Sequence, residues 1–240
     1  MCGRFSSSSQ LSFLLEQFRA EPLGVEGHQA SWNVAPASDI LVVVASSDGA
    51  RQLRALRWGL VPRWAKDPSG ANRMINLRAE TVREKKGWRS TLARKRCIIP
   101  IDGFYEWQDQ GKGKRKQPFY ITSRDFSPLA LAGLWATWRD PAAKDQPDGD
   151  DELWTCTILT TSANKLMDSV HHRMPVILPP EAWDAWLDPD NTDTGQLAEL
   201  LQPAPEELLT LWPVDPAVGN TRNNRPELLE PLEGHQPITA

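Results

Sequence analysis

A series of short apolar segments, rich in β-branched and aromatic residues and too brief for helices, most constrains the fold of this chain. They are residues 40–45 (ILVVVA), 97–101 (CIIPI), 103–108 (GFYEWQ), 118–121, 127–138, 154–161 (WTCTILTT) and 174–178 (MPVIL). Runs of this length and content, separated by Pro, Gly, Asp and Asn, predict strands. Residues 53–60 alternate weakly and enter WGLVPRW, where Pro62 ends any regular element. Helical spacing is scarcer. It occurs at 10–19, with Leu11, Leu14, Leu15 and Phe18 on one face and Ser9 placed as a cap. It recurs at 81–94, 181–187 and 194–201. Residues 141–152, rich in Asp, Pro and Gly, predict an exposed loop, and the Pro- and Asn-rich tail from Pro213 is expected to lie extended over the body. There is no internal repeat and no composition break. The expected fold class is therefore α+β, a single domain with a curled, largely antiparallel, barrel-like β core flanked by helices.

At 240 residues the chain can bury a core without disulfide or metal staples. Three cysteines with no CxxC pair argue against a disulfide framework, and four histidines offer no zinc-ligand spacing. No apolar run approaches the ~20 residues of a membrane span. The start, MCGRFSSSSQ, lacks the apolar core of a signal peptide. A reduced, cytoplasmic location is expected, with no metal, no cofactor and no membrane partner.

Net charge is −4, but the charge is segregated. From Arg51 to Arg96 there are 14 basic and 3 acidic residues; from Asp140 onward, 5 and 19. A basic knot, GKGKRK, occupies 111–116. Local sign governs contact with a polyanion more than the total does. The basic half is either a solvated face or a groove for a nucleic-acid backbone. Trp58, Trp64 and Trp88 interleave with its cations, which favours a single strand whose bases stack.

Six residues in four short segments are candidates for chemistry. Cys2 follows the initiator Met, and removal of Met1 would give it a free α-amine beside its thiol. An α-amine of pKa roughly 7.7–8.0 is partly neutral at pH 7, and an ordinary thiol is within about 1.5 units of ionising. A 1,2-aminothiol captures an aldehyde: the amine forms a Schiff base, sulfur adds to the same carbon, and a thiazolidine closes. Glu106 alternates with Tyr105 and Trp107 and so points into a pocket or into solvent; in an apolar pocket it would serve as a general acid/base. His171 and His172, adjacent in a segment read as extended, should face opposite ways, leaving one at a site. Asn76 and Arg78 offer an amide and a guanidinium that could hold an amine and a phosphate. Cys97 and Cys156, inside apolar runs, read as structural.

Together, MCGRF, NVAP at 33–36, WGLVPRW at 58–64, INLRAET at 75–81, CIIPIDGFYEW at 97–107 and VHHRMPVIL at 170–178 resemble the SOS response-associated peptidase (SRAP) family of abasic site processing proteins. The resemblance runs from Met1 to about Pro231, so it implies one domain over 1–231 and a tail at 232–240. It implies a monomeric single-stranded-DNA-binding protein that crosslinks covalently to abasic sites. Location would be cytoplasmic, on the nucleoid when bound to DNA. By motif, Cys2 is the nucleophile, Asn76 orients its α-amine, Glu106 is the acid/base and His171 assists sugar opening and reversal. Arg4, Asn33, Trp64, Arg78 and Thr160 would line the DNA path. A Schiff base also permits lyase chemistry, and the family name implies a peptidase, most credibly one removing its own Met1. The competing readings are a cysteine peptidase proper and a non-catalytic single-strand-binding module.

Overall fold

The apolar runs become strands because alternate residues feed two different cores. A computed structural model describes residues 2–141 and 152–240. In chain order it comprises β1 (Arg4–Ser7), α1 (Leu11–Phe18), β2 (Glu21–Leu23), β3 (Ser31–Val34), β4 (Asp39–Ala45), β5 (Arg51–Trp58), β6 (Asn76–Arg78), α2 (Ala79–Glu84) and α3 (Lys86–Arg94). There follow β7 (Arg96–Ile101), β8 (Gly103–Gln108), β9 (Gln117–Ser123), β10 (Leu129–Trp138), β11 (Leu153–Ser162), α4 (Lys165–Asp168), β12 (Arg173–Pro175), α5 (Trp183–Leu187), α6 (Thr194–Glu199), β13 (Leu209–Pro213) and β14 (Ile238–Thr239).

Five strands close on themselves. β11, β10, β7, β4 and β5 pair antiparallel in that order, and β5 returns to β11 through a short parallel pairing at Arg57–Thr155 and Trp58–Cys156. Closure removes the exposed edges of these strands. β6 runs parallel to β11, and β12 antiparallel to it. The second sheet, β14-β13-β9-β8-β1-β3, is antiparallel throughout. The expected α+β architecture with a curled, largely antiparallel core is present.

Period-two alternation sorts the side chains. Ile40, Val42, Val44, Cys97, Ile99, Leu131, Trp135, Cys156 and Ile158 join one core, which also holds Cys2 and Phe5. Leu41, Val43, Ile98, Ala130, Ala132, Leu134 and Leu159 face outward into a second, covered by Leu14 and Phe18 of α1, Val82 of α2, Leu92 of α3, Trp186 of α5 and Leu197 of α6. Cys97 and Cys156 are fully buried free thiols, and burial pushes both above their ordinary value.

Several local expectations change. The residue capping α1 is Gln10, without a side-chain bond; Ser9 instead donates its hydroxyl to Asp102, which also accepts the Ser8 hydroxyl at 2.8 Å. That ties the end of β1 to the β7–β8 turn. The helical pattern at 81–94 is two helices, broken at Lys85. The 174–178 run contributes only the short β12 and an isolated bridge, Leu131–Ile177. The tail makes two 3-10 turns, Pro216–Gly219 and Pro226–Leu229, then pairs β14 with β13. Val218 and Leu228 from those turns pack with Tyr105, Tyr120 and Trp212. Most of the predicted loop at 141–152 lies outside the described residues.

Trp58 is a core residue, 0% exposed, 5.0 Å from the Phe5 ring centroid, with its indole N–H on the Ile75 carbonyl at 2.9 Å. It is no stacking platform. Gly59 follows with φ +130, and a Cβ there would meet the Ala71 carbonyl oxygen at 2.8 Å. Only glycine permits this backbone turn and this approach. Leu60 and Val61 stay buried beyond the turn, Val61 donating its N–H to the Thr155 hydroxyl at 3.0 Å, and the chain emerges at Arg63 and Trp64.

Candidate active site

Cys2 is placed by the strand it precedes. β1 lies between β8 and β3, so the start of the chain is an inner strand of its sheet. Phe5 pairs with Phe104 and Arg4 with Tyr105, which sets Cys2 over the end of the first core, fully buried. Its carbonyl accepts the Asn76 side-chain N–H at 2.7 Å. Asn76 opens β6, which β11 holds by the Ile158–Asn76 register. The other Asn76 side-chain atom, Oδ1, is buried and has no hydrogen-bond partner among the described residues.

Glu106 projects from β8 and is 5% exposed, so of the two options open from sequence it takes the interior one. Its Oε1 accepts the Trp107 backbone N–H at 3.2 Å. The carboxylate acts on both neighbours. Burial pushes the Cys2 thiol far above its ordinary value, and Glu106 adds to the rise. Burial lowers the His171 imidazole below its usual 6.5, while Glu106 pulls the other way. The resting sulfur is therefore a thiol, further from ionisation than the sequence alone suggested.

His171 and His172 do not face opposite ways. The backbone bends at His172, and the two rings stack at 4.4 Å between centroids. His171 is partly buried and His172 exposed. The Arg173 backbone N–H donates to His171 Nδ1 at 3.0 Å. A nitrogen that accepts cannot carry the proton, so the neutral ring holds it on Nε2. The structure thus brings Cys2, Asn76, Glu106 and His171 into one polar corner of an otherwise apolar core.

The five other positions divide. Trp64 is 85% exposed, and Arg78 is exposed at the end of β6. Arg4 and Asn33 are bound to the protein itself. Arg4 donates to Asn33 at 2.6 Å and to the Val218 and Gly219 carbonyls; Asn33 donates to the carbonyls of Val218, Asn220 and Asn223. Thr160 is fully buried, and its carbonyl accepts an Arg173 N–H at 2.8 Å. Arg173 and Glu80, which the sequence did not single out, hold this region through a two-pronged ion pair at 2.7 and 3.0 Å.

The positive charge is partly structural. Arg96 is buried, donates to the carbonyls of Leu92 and Trp186, and is lowered to about 10 by burial. Arg83 binds the Leu201 carbonyl, and Arg51 the Phe18 carbonyl and Asp184. Arg63, Lys66, Arg73, Arg78, Lys85, Lys86, Arg89 and Arg94 remain exposed, as does the knot at 111–116 in the β8–β9 turn. Among the described residues no group of His, Cys, Asp and Glu could hold a metal ion, and no helix is long and apolar enough to cross a membrane.

The family model described as SOS response associated peptidase (SRAP) matches residues 1–221. Abasic site processing protein YoqW of Bacillus subtilis (strain 168) is 43% identical over 232 residues, covering 96% of this chain and 99% of that protein. Abasic site processing protein HMCES of Xenopus tropicalis is 33% identical over 231 residues, covering 84% of this chain and 66% of that protein. A crystal structure of a Bacteroides thetaiotaomicron protein superposes with a TM-score of 0.82 at 27% identity, covering 96% of this chain and 99% of that one. A family match over most of the chain and relatives of this identity and coverage leave one assignment: the chain belongs to the SOS response associated peptidase (SRAP) family.

Proposed function

We propose that the protein processes abasic sites in single-stranded DNA by forming a covalent thiazolidine between Cys2 and the ring-opened deoxyribose. The observation that carries this is the placement of Cys2, fully buried, with the Asn76 amide on its carbonyl and with Glu106 close enough to raise its thiol and to act on His171 as well. A plain binding module has no use for such a corner. The names of the relatives point to the same lesion.

The chemistry proceeds in balanced steps. Removal of Met1 frees the Cys2 α-amine, for which the open Oδ1 of Asn76 is an acceptor within the same side chain that binds the Cys2 carbonyl. The abasic sugar exists mainly as a closed hemiacetal. Opening it moves one proton from the anomeric hydroxyl to the ring oxygen; Glu106 takes that proton and returns it, directly or relayed by His171, and both end as they began. The amine adds to the aldehyde, and with one proton taken up from solvent water leaves, giving an iminium. The thiol adds to the iminium carbon and loses its proton to Glu106, which returns it to solvent. The net change is loss of one water. Because the thiol is held protonated, that last transfer requires an adjacent base, and the carboxylate supplies it.

The iminium is also the species from which the 3′ phosphate can be eliminated, so ring closure by sulfur competes with strand cleavage. Self-removal of Met1 would be the peptidase counterpart of the same nucleophile. Trp64 and Arg78 are the exposed contacts along the strand; Arg4, Asn33 and Thr160 support the path from behind. A missing base makes the nucleotide easy to splay into the corner.

The test is a denaturing gel shift with a single-stranded oligonucleotide carrying one abasic site. Processed wild-type protein should give a heat-stable adduct and Cys2→Ala none. An equal yield from Cys2→Ala overturns the proposal.

A further inference from the structure

Beyond the loop that carries Trp64 lies a cavity of about 500 Å3, within the range of roughly 300–1,000 Å3 typical of small-ligand sites. One wall is residues 60–64, the second is α3 with Trp88, Thr91 and Arg94, and the third is β10 with Trp135 and Thr137. Lys95 closes the floor, its ammonium 3.8 Å over the Trp135 ring, whose other face stacks on Trp154 at 4.6 Å. Three indoles and three cations (Arg63, Arg94 and Lys95) line it, and none of its lining residues is acidic. Burial lowers the Lys95 ammonium, Glu152 outside the cavity pulls the other way, and Arg63 adds a smaller like-charge lowering.

Like charges gathered around an aromatic cleft suit an anion with a flat apolar part. A second cavity of about 510 Å3 shares Arg63, Trp64 and Thr137, but there Asp140 and Glu152 offset Arg63 and Arg139, so its lining carries no net charge. Trp64 therefore stands between a cationic side and a charge-balanced side. The loop is also registered to the corner that holds Cys2. Trp58 donates to the Ile75 carbonyl at 2.9 Å and the Leu60 N–H to the Met74 carbonyl at 3.1 Å, immediately before Asn76.

We propose that this cavity is a separate nucleotide subsite. It takes one undamaged nucleotide of the bound strand, its base against Trp64 and Trp88 and its phosphate between Arg63, Arg94 and Lys95. The inference rests on the single-strand reading of the function. It adds a fixed register: the lesion enters the Cys2 corner while a neighbouring base is held by α3.

The experiment uses fluorescent abasic oligonucleotides shortened one nucleotide at a time from either end, bound to the Cys2→Ala protein so that equilibrium Kd is read. Shortening from one end should lower affinity about tenfold at a single nucleotide, as loss of one stacked base does. In Arg63→Gln/Arg94→Gln, both exposed positions, that step should shrink, since the phosphate is released while the Trp64 and Trp88 faces remain. The slope of log K against log salt should fall by about 0.7 for the one lost phosphate contact. In parallel, 5-iodouracil placed at that nucleotide should photocrosslink to Trp64 or Trp88. A smooth loss of affinity with length, a step unchanged in the double variant, or photoadducts mapping elsewhere overturns the subsite. Failure of wild-type protein to form any abasic adduct instead overturns the function, and the salt slope on an undamaged strand, compared between wild type and the double variant, still decides the cavity.

Discussion

The Arg173 guanidinium grips the Glu80 carboxylate through both nitrogens, at 2.7 and 3.0 Å, and so joins the two segments that carry Asn76 and His171. Glu80 stands at the start of α2, directly after the strand bearing Asn76; Arg173 opens β12, and its N–H holds His171. Arg173 is nearly buried, whereas the Glu80 side chain is 47% exposed. Glu80→Gln should cost about 1–2 kcal/mol, less than the loss of a fully buried pair, because solvent screens the carboxylate. Arg173 holds the Glu80 carboxyl below its usual value near 4.5. A depressed carboxylate stabilises the fold above its ordinary value, and that contribution is lost as pH falls through the folded-state value. Acid unfolding followed by circular dichroism should therefore be less steep below pH 4.5 in Glu80→Gln than in wild type.

His171 yields a second pH prediction with its own sign. Its folded-state value lies below 6.5, so the neutral ring is the resting form at neutral pH. Stability linked to this group is complete above 6.5 and declines as pH drops toward the folded value, because the unfolded chain binds the proton first. Crosslinking should fall first as the Cys2 α-amine, ordinarily near 7.7–8.0, is protonated, and His171 should add a second acid limb only below 6.5. His171→Gln should slow adduct formation by roughly 10²-fold and erase that acid limb in single-turnover assays. A limb that persists unchanged in the variant would assign it to another group.

Glu106→Gln keeps the shape of the side chain and removes the base. Adduct formation should slow by about 10²-fold while binding of an undamaged strand is unchanged within experimental error. Gel-shift titration and time-resolved denaturing gels on the same samples separate the two effects.

Cys2→Ala, once processed, keeps an α-amine but has no sulfur to close the ring. It should form no stable adduct yet still cleave some abasic strand, because the iminium remains available for elimination. Labelled-strand gels with and without borohydride trapping read this directly.

Trp58 and Trp64 make a contrasting pair. Trp58→Ala empties a fully buried site and should destabilise the protein by about 3–5 kcal/mol, seen as a lowered Tm. Trp64→Ala, at 85% exposure, should leave Tm in place and weaken single-strand binding about tenfold.

The same pair shows what was legible in the sequence. The continuous apolar runs at 40–45 and 97–101 disclosed their strands because both faces of these strands are buried, one in each core. Nothing local told Trp58 from Trp64, since both sit among cations; Trp58 ends β5 inside the first core, and the chain emerges only past Val61. β6 and β14 were missed because strands of three and two residues leave no period to read. Of the candidate corner, Cys2 carried a chemical signal of its own. Glu106 and His171 became specific only through the company of the other motifs, and the stacking of His171 on His172 depends on a bend that dipeptide reading takes for extended chain. The role of Arg173 in joining His171 to Glu80 required coordinates, because Glu80 lies 93 residues away in sequence.

The central claim is that the bond to damaged DNA forms at the nitrogen and sulfur of Cys2. Peptide mapping by mass spectrometry of the adduct with an abasic oligonucleotide tests it most directly. The account predicts that the modified peptide begins at Cys2, lacks Met1, and carries the sugar fragment less one water with its thiol resistant to alkylation. An adduct whose peptide retains Met1, or one located on a lysine with the Cys2 thiol still alkylated, would contradict it.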